Sequence, residues 1–437
     1  MSKSWIKESI SFKLVIIGVL VLLLLIPMQM IKNLIREREF TRNEVINEIG
    51  LKWANEQTIN GPIITIPYKS YYEDDGKMKW STAYAHFLAE ELNINGQIIP
   101  QERYRGTYKS IVYSAKLSFT GSFKQFSFKK WNINPDHVMW ENAYLSLGIT
   151  DMRGISKSVN INFNNAIIPV DPGVRSKDII KQGVSAPIVV NNENQNYTFS
   201  FDLNLRGSKS LNFIPTGKVT KVHLNSEWNS PSFNGSFLPS SRNISEDGFD
   251  ADWQILHLNR NFPQQWLGSH YKVSDSWFGV DLILPVNQYL KSERAVKYAI
   301  MFIALTFLVF FFTEVINRKR IHPIQYLLVG FSLIIFYTLL LSLSEHINFD
   351  LAYLIAATAV ISLITFYTKA TINKRKTTLS VLGVLLALYV FLYTILQLEA
   401  YSLLMGSVGL FIALSLIMIL SRKVDWNTPI KFEGKSS

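Results

Sequence analysis

The sequence predicts a membrane protein of the α+β class: one N-terminal signal-anchor helix, a large antiparallel β-rich domain facing the periplasm, and a C-terminal bundle of five transmembrane helices. Three observations predict it. The first thirty or so residues of the 437 and about the last 140 are mostly Leu, Ile, Val, Phe and Tyr. The stretch between them has the composition of a water-soluble domain with alternating apolar residues, and the basic residues outside it gather at the ends of apolar runs.

The averages, 48% hydrophobic and 18% charged with a mean hydropathy of +0.14, conceal this division. It excludes a disordered chain, a collagen-like fibre and a simple cytosolic enzyme. With no cysteine, disulfides, thiolate metal sites and thiol catalysis are excluded too. The net charge of +11 raises the question of nucleic acid, and position answers it. Between Lys32 and Lys297 there are 30 basic and 26 acidic residues, nearly balanced; the excess lies in clusters such as Lys3, Lys7 and Lys13, Arg318–Arg320, Lys374–Lys376 and Arg422–Lys423. Those are topology markers, so no nucleic-acid partner is expected.

The first span is Leu14–Ile31, 18 residues, enough to cross a hydrocarbon core of about 30 Å. The residues after it, Pro27-Met28-Gln29-Met30-Ile31, lack the small-x-small pattern of a cleaved signal peptide, so the segment is an anchor. Residues 1–13 are then a cytoplasmic N-terminus and 32–295 a periplasmic stalk and domain. Five spans follow at 296–316, 324–343, 351–368, 379–398 and 401–420, within 296–421, and 422–437 form a cytoplasmic tail. The loops Asn317–His322 and Lys369–Lys376 are basic and belong inside; Ser344–Asp350 and the turn near Gln397–Tyr401 lack Lys and Arg and belong outside. Both termini are thus expected in the cytoplasm.

The exported segment opens on a helical stalk, with Leu34, Ile35, Val45, Ile49 and Trp53 on one face, broken by Asn60-Gly61-Pro62. The period then changes to two. Tyr197-Thr-Phe-Ser-Phe-Asp-Leu-Asn-Leu205 is the clearest strand; Val159–Phe163, Leu117–Phe123 and Val222–Trp228 repeat it. Ile63–Pro67, Tyr108–Ala115, Ala143–Ile149, Phe249–Leu258 and Phe278–Leu284 add more, and ten or so short strands with Gly, Pro and Asn between them predict sandwich or barrel-like packing.

Chemistry-bearing motifs are sparse. No phosphate loop, dinucleotide fingerprint, zincin helix or nucleophile elbow is present, and the seven histidines show no close ligand spacing, so neither a cofactor nor a metal is expected. Three constellations stand out as functional candidates. Asp151 and Arg153, in Thr150-Asp-Met-Arg-Gly-Ile155, share one side of an extended chain and could grip a polar ligand, although Asp-x-Arg-Gly is also good turn chemistry. Glu345 and His346 end the third span, where they could relay protons or cap a helix. Glu314 lies near the membrane one turn before Arg318, an available partner. The aromatic run Phe119, Phe123, Phe126, Phe128 and Trp131 reads as core or as a lipid-binding groove.

Leu25-Ile-Pro-Met28, Gly61-Pro-Ile-Ile-Thr-Ile-Pro67, Thr150–Ile155, Ser232-Phe-Asn-Gly-Ser-Phe-Leu-Pro239, Phe278–Val286, Arg294–Ala299, His322–Gly330 and Leu341-Ser-Leu-Ser-Glu-His346 together give the chain a family resemblance. It resembles the CreD family of inner-membrane proteins, the cell envelope integrity proteins. The resemblance implies a Gram-negative inner-membrane protein tied to envelope-stress regulons. It transfers no catalytic residue and no cofactor.

The function expected is therefore a non-enzymatic envelope maintenance protein, its β domain contacting a cell-wall, lipid or protein partner, with membrane lipid around the base. A lipid or small-molecule carrier, with the β domain as carrier and the helix bundle as gate, is the first alternative, and a glycolipid would suit it. An enzyme acting on envelope polymers through Asp151, Glu345 or His346 is the second.

Overall fold

The computed structural model describes residues 10–191, 195–284, 288–317, 319–398 and 401–422. Two compact units emerge, a helical one (1–42 and 286–437) and a β-rich one (43–285). One helix, α1 (Ile10–Trp53), contributes to both; its 44 residues make about 66 Å at 1.5 Å per residue. The helix ends at Trp53 and not at Asn60-Gly61-Pro62, which lie inside the first strand.

That strand is β1 (Gln57–Asp74), followed by β2 (Lys77–Arg105), β3 (Tyr108–Phe123), β4 (Tyr144–Ile149), β5 (Asn160–Phe163), β6 (Ala166–Pro169), β7 (Asp171–Pro172) and β8 (Gly183–Pro187). Then come β9 (Tyr197–Ser208), β10 (Ser210–Ile214), β11 (Gly217–Ser226), β12 (Pro231–Gly235), β13 (Ser241–Ser245), β14 (Gly248–Leu256), β15 (Gln265–Leu267) and β16 (Phe278–Leu282). The 29-residue β2 is the hub. Its first half pairs with β1 and β15, its second half with β3 and β11, so one strand serves two sheets. The order β12-β16-β10-β1-β2 lies on one side of this hub, and β3-β9-β5-β6 continues beyond it. Pairing is antiparallel as expected except at β1–β10 and β2–β11, which are parallel.

Strands alternate because one face enters a shared core. In β9 the odd positions Tyr197, Phe199, Phe201, Leu203 and Leu205 are buried there, and β3 supplies Phe119 and Phe123 opposite. Phe119 stacks on Phe201 at 4.6 Å and Phe126 on Tyr197 at 5.3 Å. The aromatic run is therefore packed core, not a groove: Phe119, Phe123, Phe126 and Phe128 are buried and Trp131 packs against them.

The end of α1 is fixed to this unit by the indole of Trp53, which donates to the Tyr113 carbonyl at 3.2 Å. The guanidinium groups of Arg103 and Arg206 lie over its ring at 4.9 and 4.8 Å.

In the helical unit α1 is joined by α2 (Gln288–Lys297), α3 (Ala299–Asn317), α4 (Pro323–Ser344), α5 (Phe349–Ile372), α6 (Arg375–Gln397) and α7 (Ser402–Ser421). Five of these, α1 and α3–α6, are long and apolar enough to span a membrane; α7 is apolar too, with Leu404–Ile419 forming a shorter run. A separate short helix, α2, precedes the second span, which starts at Ala299. Asn348 caps α5 by accepting from the Leu351 N–H at 3.0 Å, and Pro323 opens α4, where its missing N–H costs nothing.

Candidate functional site

Four strands of the β unit, in the order β16-β10-β1-β4, place their apolar alternates in the core: Val280, Leu211, Phe213, Ile59 and Ile149. The opposite face of the same strands is polar. Thr58 pairs with Asn212 and Asn212 with Gly279, making one row across three strands; Asn60 opposes Ile214 and Gly148, and Ser210 opposes Asp281. Period-two alternation thus sets Thr58, Asn60, Ser210, Asn212 and Asp281 side by side. They floor an open cleft of about 640 Å³ walled by Ile179–Gln182, Ser274 and Trp277, with Glu56 at one end.

The cleft carries unused hydrogen-bonding capacity. Asn60 and Asn212 are each only 8% exposed, and the Oδ1 atom of each has no hydrogen-bond partner among the described residues. A buried acceptor left unpaired costs about 1–3 kcal/mol. A Cβ at Gly279 would meet the Leu211 carbonyl and the Asn212 Oδ1, so glycine there keeps the space beside that amide open. Asp281 accepts from Asn234 Nδ2 at 2.5 Å, and burial raises its carboxyl above the ordinary range, with the nearby Glu56 charge adding to the rise.

Asp151 and Arg153 lie beside this cleft but are spent on structure. Asp151 is 7% exposed and caps a short 3₁₀ turn, Met152–Gly154. Its Oδ1 accepts from the Arg153 backbone N–H at 3.1 Å and from Arg153 Nε at 2.9 Å. Its Oδ2 accepts from Arg153 Nη2 at 2.5 Å and from the Asn55 N–H at 2.9 Å. Arg153 Nη1 donates onward to the Leu51 carbonyl at 2.6 Å, in the last turn of α1. Gln57 closes the clasp, donating to the carbonyls of Asp151 and Arg206 at 2.9 Å each and accepting from the Asp151 N–H. Hydrogen bonds from Arg153 hold the Asp151 carboxyl down at about 2.

The other nominated residues lie in the helical unit. Glu314 is 1% exposed, ion-paired with Lys13, and accepts from the Ile321 N–H and the Tyr326 hydroxyl at 3.0 Å each. Arg318, the partner suggested by spacing, lies outside the described residues; among those described, the charge partner is Lys13, three hundred positions away. Glu345 accepts from the Tyr289 hydroxyl at 3.2 Å and sits 4.0 Å from Arg38. His346 donates through Nδ1 to the Ser342 carbonyl at 3.1 Å, one turn back. Glu345 and His346 therefore engage different partners.

Two histidine arrangements escaped the sequence. His223 and Asp252 are register partners on β11 and β14, 2.9 Å apart through Nδ1, with Asp250 3.6 Å from Nε2. These three groups lie close enough to share an ion, yet each ring nitrogen already faces a carboxylate. His86 lies between Thr65 Oγ1, 3.0 Å from Nδ1, and Asp178 Oδ2, 3.2 Å from Nε2. Because a carboxylate only accepts, Nε2 carries the proton and Nδ1 accepts from the threonine. Hydroxyl, imidazole and carboxylate in line suit nucleophilic catalysis, but Thr65 is 3% and His86 2% exposed, sealed from any substrate.

Burial lowers the His86 pKa, against an opposing pull from Asp178. The folded ring is therefore neutral where the unfolded one is charged, so its contribution is complete above about pH 6.5 and shrinks as pH falls below it. Thermal unfolding of the whole protein in detergent should show this between pH 7.5 and 5.5, one proton being worth at most about 1.4 kcal/mol per pH unit. His86→Gln should flatten that part of the slope; an unchanged slope would remove His86 as its source.

In the helical unit an apolar cavity of about 500 Å³ lies among α3, α6 and α7, lined by residues such as Leu305, Phe312, Phe391 and Leu416. Its lining is almost wholly hydrocarbon; the one hydroxyl there, Ser380, donates to the Lys376 carbonyl at 3.0 Å.

Apolar helices long enough to span a membrane, joined in one chain to a large β-rich unit, define a membrane protein of the α+β class. The family profile described as "Inner membrane protein CreD" matches residues 9–427. The chain is 32% identical over 428 residues to the Inner membrane protein CreD of Escherichia coli (strain K12), covering 96% of this chain and 94% of that one. It belongs to the CreD family of inner membrane proteins.

Proposed function

We infer that the protein is a non-enzymatic component of cell-envelope integrity, whose β unit projects into the periplasm and binds an envelope partner while the helices anchor it. The observation that carries this reading is the contrast inside the β unit. Its strongest polar pairs, Asp151–Arg153 and Thr65–His86–Asp178, are consumed by structure, whereas the cleft beside them keeps unpaired acceptors. That is the profile of a binding surface rather than of a reaction centre. Membrane lipid surrounds the spans, and the partner is an envelope protein or a saccharide-bearing molecule. A lipid carrier is disfavoured because the aromatic run fills the core.

The orientation rests on the basic loops at 317–322 and 369–376 and on the loop 344–350, which lacks Lys and Arg. The natural absence of cysteine makes it simple to test. Glu246→Cys, on an exposed turn of the β unit, should react with a membrane-impermeant maleimide in spheroplasts, and Lys374→Cys only after lysis. The reverse pattern overturns the orientation. In the same cells, photo-crosslinkers at exposed positions around the cleft, such as Thr150 and Ser274, should capture a discrete envelope component. Turnover of a small substrate by the purified protein, with no adduct, would overturn the binding role.

A further inference from the structure

We propose that the β-unit cleft is a saccharide-binding site, taking a sugar unit whose hydroxyl or amide N–H groups donate to Asn60, Asn212 and Asp281 and whose ring lies against Trp277. This rests on the periplasmic binding role inferred above and gives the partner a chemistry.

The argument starts from an imbalance. A folded protein leaves few buried polar atoms unpaired, and two unpaired amide oxygens within one cleft are a concentration of acceptors without donors. Asp281 adds a third acceptor, since its Oδ1 takes no hydrogen bond among the described residues. Whatever fills the cleft must therefore be rich in donors. A phosphate or another acceptor-only anion is the wrong chemistry, and so is an acyl chain, because the floor is a row of amides, hydroxyls and a carboxylate.

Three kinds of ligand donate or attract in this way: a polyhydroxylated ring, a polyamine and a hard cation. The remaining features choose among them. At about 640 Å³ the cleft falls within the range of small-molecule sites and far exceeds the needs of a single ion. Trp277, 37% exposed on its wall, offers an amphipathic ring on which the C–H face of a sugar can lie. Lys181 stands on the wall against Asp281 and Glu56, and Glu56 already lies 3.6 Å from Lys209, so the charges nearly balance and suit a neutral sugar better than a polycation. Strands hold Asn60, Asn212 and Asp281 on one rigid face, so the acceptors are in place before any ligand arrives.

The test uses the full-length protein in detergent, titrated with N-acetylglucosamine tetrasaccharide, maltotetraose, spermidine and calcium ions. The expected result is saturable binding of at least one tetrasaccharide, with Kd at or below about 1 mM. Asn212→Ala and Trp277→Ala should each weaken it at least tenfold. Trp277→Ala changes a partly exposed side chain, and Asn212→Ala removes an unpaired acceptor along with one long hydrogen bond to Ser210, 3.3 Å, so both should unfold within a few degrees of the wild-type temperature. If Asn212→Ala unfolds early, Trp277→Ala alone decides. Binding of calcium or spermidine without either saccharide overturns the proposal, as does saccharide binding indifferent to both variants, or none at all. Envelope adducts from the photo-crosslinkers combined with no saccharide binding would defeat this inference while sparing the binding role; the opposite maleimide pattern would strike the role itself.

Discussion

Replacing Glu314 with alanine is expected to cost about 3–5 kcal/mol, the scale on which a buried charge pair loses one member. Three donors converge on this carboxylate: Lys13, the Ile321 N–H and the Tyr326 hydroxyl. Truncation takes this acceptor from all three at once; Lys13 keeps the Ile321 carbonyl at 3.2 Å, but its largely buried ammonium loses its counter-charge. Unfolding of the full chain in nanodiscs should report a clear fall in midpoint. Lys13→Met should be similarly harmful on its own, leaving the carboxylate without its cation. The double variant Glu314→Gln with Lys13→Met should recover most of the loss, because the amide oxygen still accepts from Ile321 or Tyr326 and no charge remains buried. A double variant as unstable as the sum of the singles would mean that the two do not act as a pair.

Asp151→Ala is the second large effect, about 3 kcal/mol, seen as a fall of roughly 5–10 °C in the unfolding temperature of the β unit within the whole protein. The lost groups are two backbone N–H bonds and the fork of Arg153. Arg153→Ala should cost less, since its side chain is half exposed and Asp151 keeps both backbone donors. The sign of the pH dependence follows from the depressed Asp151 carboxyl. Its contribution is fully present above about pH 4 and disappears as pH falls through about 2. Asp151→Asn should therefore narrow the stability gap to wild type as the pH is lowered. An Asp151→Ala protein as stable as wild type would show that the clasp does not hold the end of α1.

The spans were legible because a bilayer demands long apolar runs, and the strands around Tyr197–Leu205 because one face meets the core. The hub strand β2 was not. Its tip, Lys77–Ser81, is exposed, and Ala85–Ala89 are buried without alternation, so the period of two that Leu92–Ile98 shows does not run through the whole strand. A hairpin signal was nonetheless present in Asp75-Gly76, where both residues take positive φ, 51° and 73°. Asn60-Gly61-Pro62 misled because glycine and proline punctuate strands as well as helices; here they mark the register shift between Asn60 and Ile63. The Asp-x-Arg-Gly turn could be read from local chemistry, whereas its attachment to Leu51 and Asn55 depends on contacts about a hundred residues apart. The cleft was hidden for the same reason. Asn60, Asn212 and Asp281 come from three separate strands, and only pairing puts them on one face, in three successive rows.

The hub also dictates an order of events during synthesis. The meander β1-β2-β3 is contiguous in sequence and can close through two tight hairpins as soon as Phe123 has emerged. Its parallel neighbours β10 and β11 are not delivered until about a hundred residues later. During that interval the flanks of β1 and β2 have hydrogen-bonding groups awaiting partners, the kind of edge on which foreign chains anneal. The nascent chain is therefore most exposed to misassembly between the emergence of Phe123 and that of Ser226.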